Sequence, residues 1–293
     1  MRRRGLTAAT AVALVAAVVG CGAGGEGLVV EGTAPAAPYG GPLDVPYGGP
    51  LDVPARDVDG SSPQALRAAT GAAGRALECE GEIFEGNGPD GWSGGDAGDT
   101  PEDGLRLFFT LLAPEVPGSG YRVERREGDR VLYSLDVGGR TKVAVVVAHD
   151  QPDRPGWGPE TSASCDPVEL PADFVGSRRY EFWTDARGER QPVARIHSSP
   201  GPEHCDWQSA RFLTLGRGQA ATTYVRDPDG VLGTDLPTTP YDPDATLPAD
   251  ARDTGYRHGE GQLWLTDDRR TAYVRTPDGV EAWPAATDAP ACM

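Results

Sequence analysis

The sequence is poor in several residues that often identify a function. It contains one lysine, one asparagine and four histidines, and its 27 basic residues face 44 acidic ones, for a formal net charge of −17. A surface with this charge repels phosphate groups, so DNA or RNA binding is excluded as a function class. The scarcity of lysine and asparagine, beside abundant Ala, Gly, Pro, Arg and Asp, indicates coding bias rather than a function.

A hydrophobic run long enough to cross a membrane is missing at the N terminus. The basic head Met1–Arg4 is followed by the uncharged stretch Leu6–Gly20, which is rich in Ala and Val. These fifteen residues are too few for a spanning helix, which needs about 20. A basic head, a short apolar run and small residues at its end are typical of a cleaved export signal. Residues 1–20 are therefore predicted to be a signal peptide.

The end of this run, Val18-Val19-Gly20-Cys21, resembles the lipobox of bacterial lipoproteins. That family usually has Leu at the position of Val18 and Ala or Ser at the position of Val19. The resemblance implies cleavage before Cys21 and acyl chains, including palmitate, on that residue, which suffice for stable anchoring. It places the protein on the outer face of the cytoplasmic membrane with the lipid bilayer as a partner. The alternative is an ordinary secretory signal, and the export route, Sec or twin-arginine, stays open.

Residues 21–60 are predicted to form a flexible tether rich in Gly and Pro. They contain the direct repeat PYGGPLDV, once as Pro38–Val45 and again as Pro46–Val53. Frequent prolines preclude helices and sheet interiors, and few large apolar groups are present to offset the entropy of ordering. The repeat is interpreted as a duplicated spacer, with a recognition motif as the alternative.

The rest of the chain predicts an α+β fold of two domains. In residues 61–172, a helix from Ser62 to Leu77 and a second helix that opens at Thr100 with a near capping box form an N-terminal helix pair. Alternating apolar residues and turn signals then predict an antiparallel sheet, whose strand Val143–Ala148 is apolar throughout and should be covered on both faces.

Helix signals are missing from residues 173–293, which predicts a mainly β domain. Short strand candidates are separated by Asp, Gly and Pro turns, a pattern typical of a small sandwich or barrel. The candidates are Tyr180–Trp183, Pro192–His197, Ala210–Leu215, Thr222–Arg226, Gln262–Leu265, Thr271–Arg275 and Val280–Trp283.

Four cysteines remain when Cys21 is set aside. An even number outside the cytoplasm predicts two disulfides. Three pairings are possible, and we favour Cys79–Cys165 with Cys205–Cys292 because each would close one domain.

Two short motifs match known sites in their letters only. Gly22–Gly27 spells the dinucleotide fingerprint, but it follows the signal peptide rather than a strand. Gly91–Gly95 spells the nucleophile elbow G-x-S-x-G, which requires a strand before it and a helix after it. Here it lies in a glycine-rich loop between two helices, so we do not assign it a catalytic role.

Two clusters offer metal ligands, and we assign a metal to neither. A disulfide beside a surface histidine explains the first, and a solvated acidic loop explains the second. The first would suit zinc, but a zinc thiolate requires a reduced cysteine where we expect a disulfide. It comprises His197, Glu203, His204, Cys205 and Asp206. The second would suit calcium, but its spacing is not that of a calcium-binding loop. It comprises Asp235, Asp242, Asp244, Asp250 and Asp253.

The tryptophans of the second domain would stack on a sugar or a partner if they were exposed, and belong to the core if buried. They are Trp183, Trp207, Trp264 and Trp283. Paired carboxylates for glycoside hydrolysis cannot be located among 44 acidic residues. No catalytic, cofactor-binding or metal-binding residue is therefore predicted.

Several phrases resemble uncharacterised secreted lipoproteins of actinobacteria, among them Gly201–Gln208, Tyr224–Gly230, Leu263–Leu265 and Val280–Pro284. The resemblance covers most of residues 62–293 and implies no activity. The leading hypothesis is a non-enzymatic binding or interaction module for an unknown protein or envelope ligand. The alternatives are a hydrolase that acts on the envelope and a calcium-dependent ligand-binding protein.

Overall fold

The computed structural model describes residues 29–31, 47–56, 63–88, 92–112, 115–177 and 180–287. The predicted signal peptide, Cys21, the first copy of the repeat and Cys292 lie outside these ranges. In the described ranges the fold is mixed and mostly β, and no helix there is long and apolar enough to span a membrane.

A six-stranded sheet forms the first part of the fold. Its strands are β1 (Val29–Glu31), β2 (Ile83–Asn87), β3 (Tyr121–Glu127), β4 (Arg130–Val137), β5 (Arg140–Gln151) and β6 (Arg154–Cys165). They are ordered β1-β3-β4-β5-β6-β2. β1 runs parallel to β3, and the other neighbours are antiparallel. β2 was not predicted from the sequence.

The apolar run in β5 is covered on both faces, as the sequence predicted. Val145 and its neighbours on one face share a buried cluster with α3 (Pro101–Leu111). Ala144 and Val146 on the other face share a second cluster with α2 (Gly71–Ala76). Strands buried on both sides lack the polar alternation of half-buried ones, which explains the continuous run.

The predicted helix from Ser62 to Leu77 is instead two short helices, α1 (Pro63–Ala69) and α2, that break at Thr70. Gly71 has a φ of 52°, and a Cβ there would lie 2.5 Å from the carbonyl oxygen of Val53. The break therefore makes room for the chain segment that precedes α1. The sequence pattern missed it because the cause is a contact distant along the chain.

The start of α3 agrees with its predicted capping box. The Thr100 hydroxyl accepts a hydrogen bond from the backbone N–H of Asp103 at 3.2 Å, and the Asp103 carboxylate accepts from the Thr100 N–H at 3.1 Å. Leu105 and Phe108, which lie three residues apart on one side of the helix, are buried against the sheet. The helix is thus fixed by local signals that tertiary packing supports.

Part of the predicted tether is folded, which corrects its boundary. Residues 47–56 pack onto the first sheet and its helices, and the Leu51 side chain is fully buried. The backbone N–H groups of Ala72 and Arg56 join this segment to α1 and α2 through hydrogen bonds of 3.0 Å to Val53 and Ala68. The burial of Leu51 and these backbone hydrogen bonds order a segment that composition alone suggested would be flexible.

Two four-stranded antiparallel sheets form the second part of the fold. Their strands are β7 (Glu181–Phe182), β8 (Ile196–Pro200), β9 (Arg211–Leu215), β10 (Thr222–Arg226), β11 (Arg252–His258), β12 (Gly261–Leu265), β13 (Thr271–Thr276) and β14 (Gly279–Pro284). The orders are β10-β9-β8-β7 and β11-β12-β13-β14. β11 was not predicted, because its residues are half-buried or exposed and show no apolar alternation.

Short bridges join the two sheets at both edges. Next to β7, Thr184 and Arg257 exchange two backbone hydrogen bonds of 2.7 and 2.8 Å. Beyond β14, Ala286 donates to the carbonyl of Thr223 in β10 at 2.7 Å. The eight strands thus surround one core that includes Trp183, which is 1 % exposed. We call this arrangement the barrel.

A buried carboxylate joins the two parts of the fold. Asp166, directly after β6, accepts hydrogen bonds from the backbone N–H groups of Val168, Val193 and Ala194 at 2.9–3.0 Å. α4 (Ala172–Ser177) spans the predicted boundary at residue 172, and its Val175 belongs to the core of the first part. The junction is therefore packed rather than a free linker.

The predicted Cys79–Cys165 disulfide is present, with a Cα–Cα distance of 5.3 Å. This disulfide links the segment that follows α2 covalently to the last residue of β6. Cys205 is also oxidised in a disulfide, while Cys292, its predicted partner, lies outside the described residues.

Candidate ligand site at the open end of the barrel

A cavity of about 540 Å³ opens at one end of the barrel. It is lined by the beginnings of β7, β9, β12 and β14 and by residues toward the ends of β8, β10, β11 and β13. Antiparallel neighbours alternate in direction, so these chain positions all meet at the same end. The mouth of a β-barrel is a common place for a ligand site because the strands fix the lining side chains.

Two tryptophans and a serine form the inner wall. Trp183 donates from Nε1 to the Ser198 hydroxyl at 2.7 Å, and Trp283 donates to a Glu281 carboxylate oxygen at 2.8 Å. Both indoles are buried, at 1 % and 6 % exposure. They belong to the core and do not offer an exposed face for stacking, and their N–H groups hold neighbouring side chains in fixed positions.

An ion pair between two neighbouring strands faces the cavity. Arg226 binds both carboxylate oxygens of Glu281 at 2.8 and 2.9 Å, and its guanidinium lies 5.6 Å from the centre of the Tyr241 ring. Burial alone would raise the pKa of Glu281, but hydrogen bonds from Arg226 and Trp283 lower it overall. Burial raises the pKa of Tyr241 to about 12. Glu281 is therefore ionised and Tyr241 neutral at ordinary pH.

A second set of charges lies at the opposite side of the mouth. Arg211 pairs with Glu181, and the Nε2 atom of His258 lies 3.9 Å from a Glu181 oxygen. His258 also contacts the Phe182 carbonyl at 3.1 Å through Nδ1, and its ring packs against Trp183 with centroids 5.5 Å apart. These contacts fix the carboxylate and the imidazole at the rim of the cavity.

Acidic groups outnumber basic ones around the cavity. The lining carboxylates are Glu181, Asp244, Glu260, Asp278 and Glu281, and the lining guanidiniums are Arg211 and Arg226. Because the carboxylates outnumber the guanidiniums, the local field at the mouth favours positively charged ligands. The arrangement can bind and orient a small polar molecule.

The candidate zinc ligands, to which the sequence analysis assigned no metal, do not come together as a metal site. His197 contacts the Val193 carbonyl at 2.9 Å, burial lowers its pKa, and Tyr180 packs on its ring. Glu203 and Cys205 lie in a short 3-10 turn, and the sulfur of Cys205 is in a disulfide. In the described residues the cysteines thus leave no thiolate for a metal at this position.

The acidic residues that were considered and set aside as calcium ligands are also dispersed. Asp253 pairs with Arg257 at 2.6 Å, whereas Asp242 accepts from the Asp244 N–H in a turn at 3.0 Å. Among the described residues, the one group with metal-ligand geometry contains Cys79, Cys165 and Glu169. Both of its sulfurs belong to the disulfide, so it offers one carboxylate and no thiolate.

Ser93, at the centre of the apparent nucleophile elbow, lies in a turn. Its hydroxyl donates to the Asp96 carboxylate at 2.7 Å, and β2 ends at Asn87 while α3 begins only at Pro101. Gly91 lies outside the described residues. The strand–turn–helix geometry that the motif requires is missing from the described part of this region.

Sequence analysis named one charged residue of the barrel mouth, Asp244, as a candidate calcium ligand and did not identify the others. Glu181 and Glu281 each stand two residues before a buried tryptophan, and Arg226 stands two residues after the buried Tyr224. Side chains two apart in a strand point to the same face. A charge on the core-facing side of a strand end was therefore the signal that could have revealed this site.

Comparisons with known protein families, curated proteins and solved structures found no match to this chain. The lipoprotein resemblance of its N terminus accordingly stays a prediction.

Proposed function

We propose that the protein is a membrane-anchored extracytoplasmic lipoprotein that acts as a non-enzymatic binding module, with the barrel mouth as its ligand site. The observation that carries the binding role is the cavity itself, where charged pairs are held on rigid strands over a packed core. A pre-formed site of this kind binds a ligand without losing the conformational entropy of its side chains, because they are already ordered. The Cys21 motif supports the location and the lipid anchor.

The charges of the mouth favour one class of ligand. Five carboxylates and two guanidiniums line the cavity, so a small polar molecule with an amino or guanidinium group would be attracted. Its cation would meet Glu260 and Asp278 at the exposed rim. Its polar remainder would reach Ser198 and the Arg226–Glu281 pair.

The hydrolase alternative has less support from this geometry. A general acid needs a raised pKa, whereas that of Glu281 is lowered by its partners. The described carboxyl group whose pKa is raised by burial is Glu124, which lies in β3, outside the barrel. A calcium role would require carboxylates that converge, and in the described residues those at the mouth do not form such a group.

The ligand site can be tested by thermal unfolding with a panel of small amines, guanidinium compounds, sugars and calcium. We expect at least one cationic compound to raise the melting temperature of the wild-type protein. The variant Glu260→Gln/Asp278→Asn should reduce this shift. Asp267→Asn is the matched control, because Asp267 is 81 % exposed at the opposite end of the barrel.

Equal shifts in all three proteins would contradict binding at the mouth, and no shift with any cationic compound would contradict the ligand class. The anchor is tested separately by incorporation of labelled palmitate in cells. We expect the label in the wild-type protein and its loss in Cys21→Ala. Unlabelled wild-type protein would contradict the lipid anchor and leave the ligand site unaffected.

A further inference from the structure

A second cavity lies beside the barrel mouth, between residues 227–233 and residues 237–243. We call it the outer groove. Its volume is about 870 Å³, against about 540 Å³ for the mouth. Arg226, Pro243 and Glu281 line both spaces. The mouth and the outer groove therefore meet at the Arg226–Glu281 ion pair and form one continuous cleft.

The cleft exists because β10 and β14 separate from each other toward the mouth. Away from the mouth, the Ala286 N–H donates to the carbonyl of Thr223 in β10 at 2.7 Å. Closer to the mouth, Ala282 in β14 instead exchanges two backbone hydrogen bonds, of 2.8 and 3.2 Å, with Asp242 in the loop that follows β10. The side chains of the shared ion pair cross the space between the two strands, and this space connects the inside of the barrel with the outer groove.

Hydrogen bonds fix both walls of the outer groove. On one side, the Asp227 carboxylate accepts from the backbone N–H groups of Val231 and Leu232, both at 2.9 Å, which holds the turn after β10. On the other side, the Thr238 N–H donates to the Ala285 carbonyl at 2.9 Å, which holds the loop beside the end of β14. The groove is thus pre-formed, and a ligand would not have to order its walls.

The walls of the outer groove offer hydrogen-bond acceptors and negative charge. Pro237, Pro240 and Pro243 carry carbonyl groups but no N–H. Asp229 is exposed at the rim, and Tyr241 adds an aromatic surface. The mouth is also richer in carboxylates than in guanidiniums. A ligand that fills the whole cleft should therefore supply donors and positive charge along its length.

A basic peptide in an extended conformation supplies both, through its backbone N–H groups and its cationic side chains. A neutral sugar chain would leave the carboxylates of the mouth without a cation. Each of the two cavities alone has the size of a small-molecule pocket, about 300–1,000 Å³, so the two together accommodate a longer ligand.

We propose that the cleft binds a basic peptide segment, with one cationic side chain in the mouth and the chain continuing over the Arg226–Glu281 pair into the outer groove. This inference rests on the proposed function, because it takes the mouth as the site that receives the cation. It adds the ligand class, a peptide, and the direction in which that ligand leaves the barrel.

The test is isothermal titration calorimetry with two blocked probes, acetyl-arginine amide and an acetylated hexapeptide amide of alternating arginine and alanine. We expect the hexapeptide to bind about tenfold or more tightly than the small probe, because its contacts with the groove form in a complex that the mouth already holds. A hexapeptide of alternating glutamate and alanine is the charge control, and we expect it not to bind.

Gly233→Phe should fill the outer groove and leave the mouth open. A Cβ on Gly233 would have no heavy atom within 4 Å, and the backbone there is outside the left-handed region. We expect this variant to bind the hexapeptide no better than the small probe, and to bind the small probe as the wild type does, which also shows that it is folded. Gly118→Phe is the matched control, because Gly118 has the same free space in the first part of the fold. Asp229→Asn, a second variant without added bulk, should weaken the hexapeptide by about two- to fivefold.

The outcomes separate this inference from the proposed function. If the hexapeptide binds no more tightly than acetyl-arginine amide, or binds Gly233→Phe as tightly as the wild type, the groove is not part of the site and the inference is overturned, while the mouth remains a site for small cations. Equal binding of the glutamate hexapeptide would overturn the basic peptide as ligand. If the small probe fails to bind and the arginine hexapeptide binds in a way that Gly233→Phe abolishes, the groove is supported and the small cation of the proposed function is contradicted.

Discussion

Lys142, the single lysine of the chain, offers a sharp test of how the segment after β6 is held against the first sheet. Its Nζ donates to Glu169 at 2.6 Å and to the Glu78 carbonyl at 3.0 Å. The two charged side chains are only 5 % and 8 % exposed. Glu169 also accepts from the backbone N–H groups of Glu80 and Gly81 at 2.8 and 3.1 Å.

Removing one partner of such a pair leaves a buried charge without compensation, which costs about 3–5 kcal/mol. We therefore expect Lys142→Met to lower the free energy of unfolding by about that amount. In Lys142→Met/Glu169→Gln the uncompensated charge is gone, so the double variant should be more stable than Lys142→Met alone. The sign of this difference separates charge burial from loss of packing.

The assay is urea unfolding followed by tryptophan fluorescence. A surface pair serves as the control, because Arg252 and Asp267 are 78 % and 81 % exposed at 3.6 Å, and such pairs contribute about 0–1 kcal/mol. Arg252→Met should therefore have little effect. The reasoning is refuted if Lys142→Met costs no more than Arg252→Met, or if the double variant is no more stable than the single one.

Three further predictions concern the first sheet and its helices. Thr100→Ala should cost about 1 kcal/mol in urea unfolding by removing the cap of α3, and Thr100→Ser should restore most of it. Cys79→Ala/Cys165→Ala should cost about 4–5 kcal/mol, since the disulfide joins residues 86 apart; a smaller loss would mean that the denatured chain is already constrained there. Burial raises the pKa of Glu124 above 4.5 in the folded state, so the folded protein holds this proton more tightly than the unfolded chain. The free energy of unfolding should thus fall as pH rises from 4.5 through the raised pKa, and Glu124→Gln should remove this part of the profile.

Local sequence was sufficient wherever a structure depends on neighbouring residues. The capping residues at Thr100 and the alternation that leads into β4 concern atoms within a few positions of one another, so their outcome could be predicted. The continuous run in β5 also predicted a strand covered on both sides, because an exposed face would require polar residues at every second position.

The candidate site could not be predicted in the same way. Its charges come from five strands, β7, β9, β10, β11 and β14, and from connecting segments that meet only when the barrel closes. Each charge alone is one among 71 acidic and basic residues. The pairing of Arg226 with Glu281 depends on β10 lying beside β14, which bridges beyond the strand ends establish. Local preferences carry no information about such neighbours.

The repeat shows most clearly what the sequence determines and what the tertiary structure decides. By itself the sequence determined that PYGGPLDV occurs twice and that proline keeps both copies out of helices and sheet interiors. Only the tertiary structure decided that a copy folds, by burying Leu51 and giving the Tyr47 N–H and the Gly49 carbonyl partners in β3. The letters of the repeat carry no information about that surface, because it is formed by residues of α2, β3, β4 and β5 that lie far away along the chain.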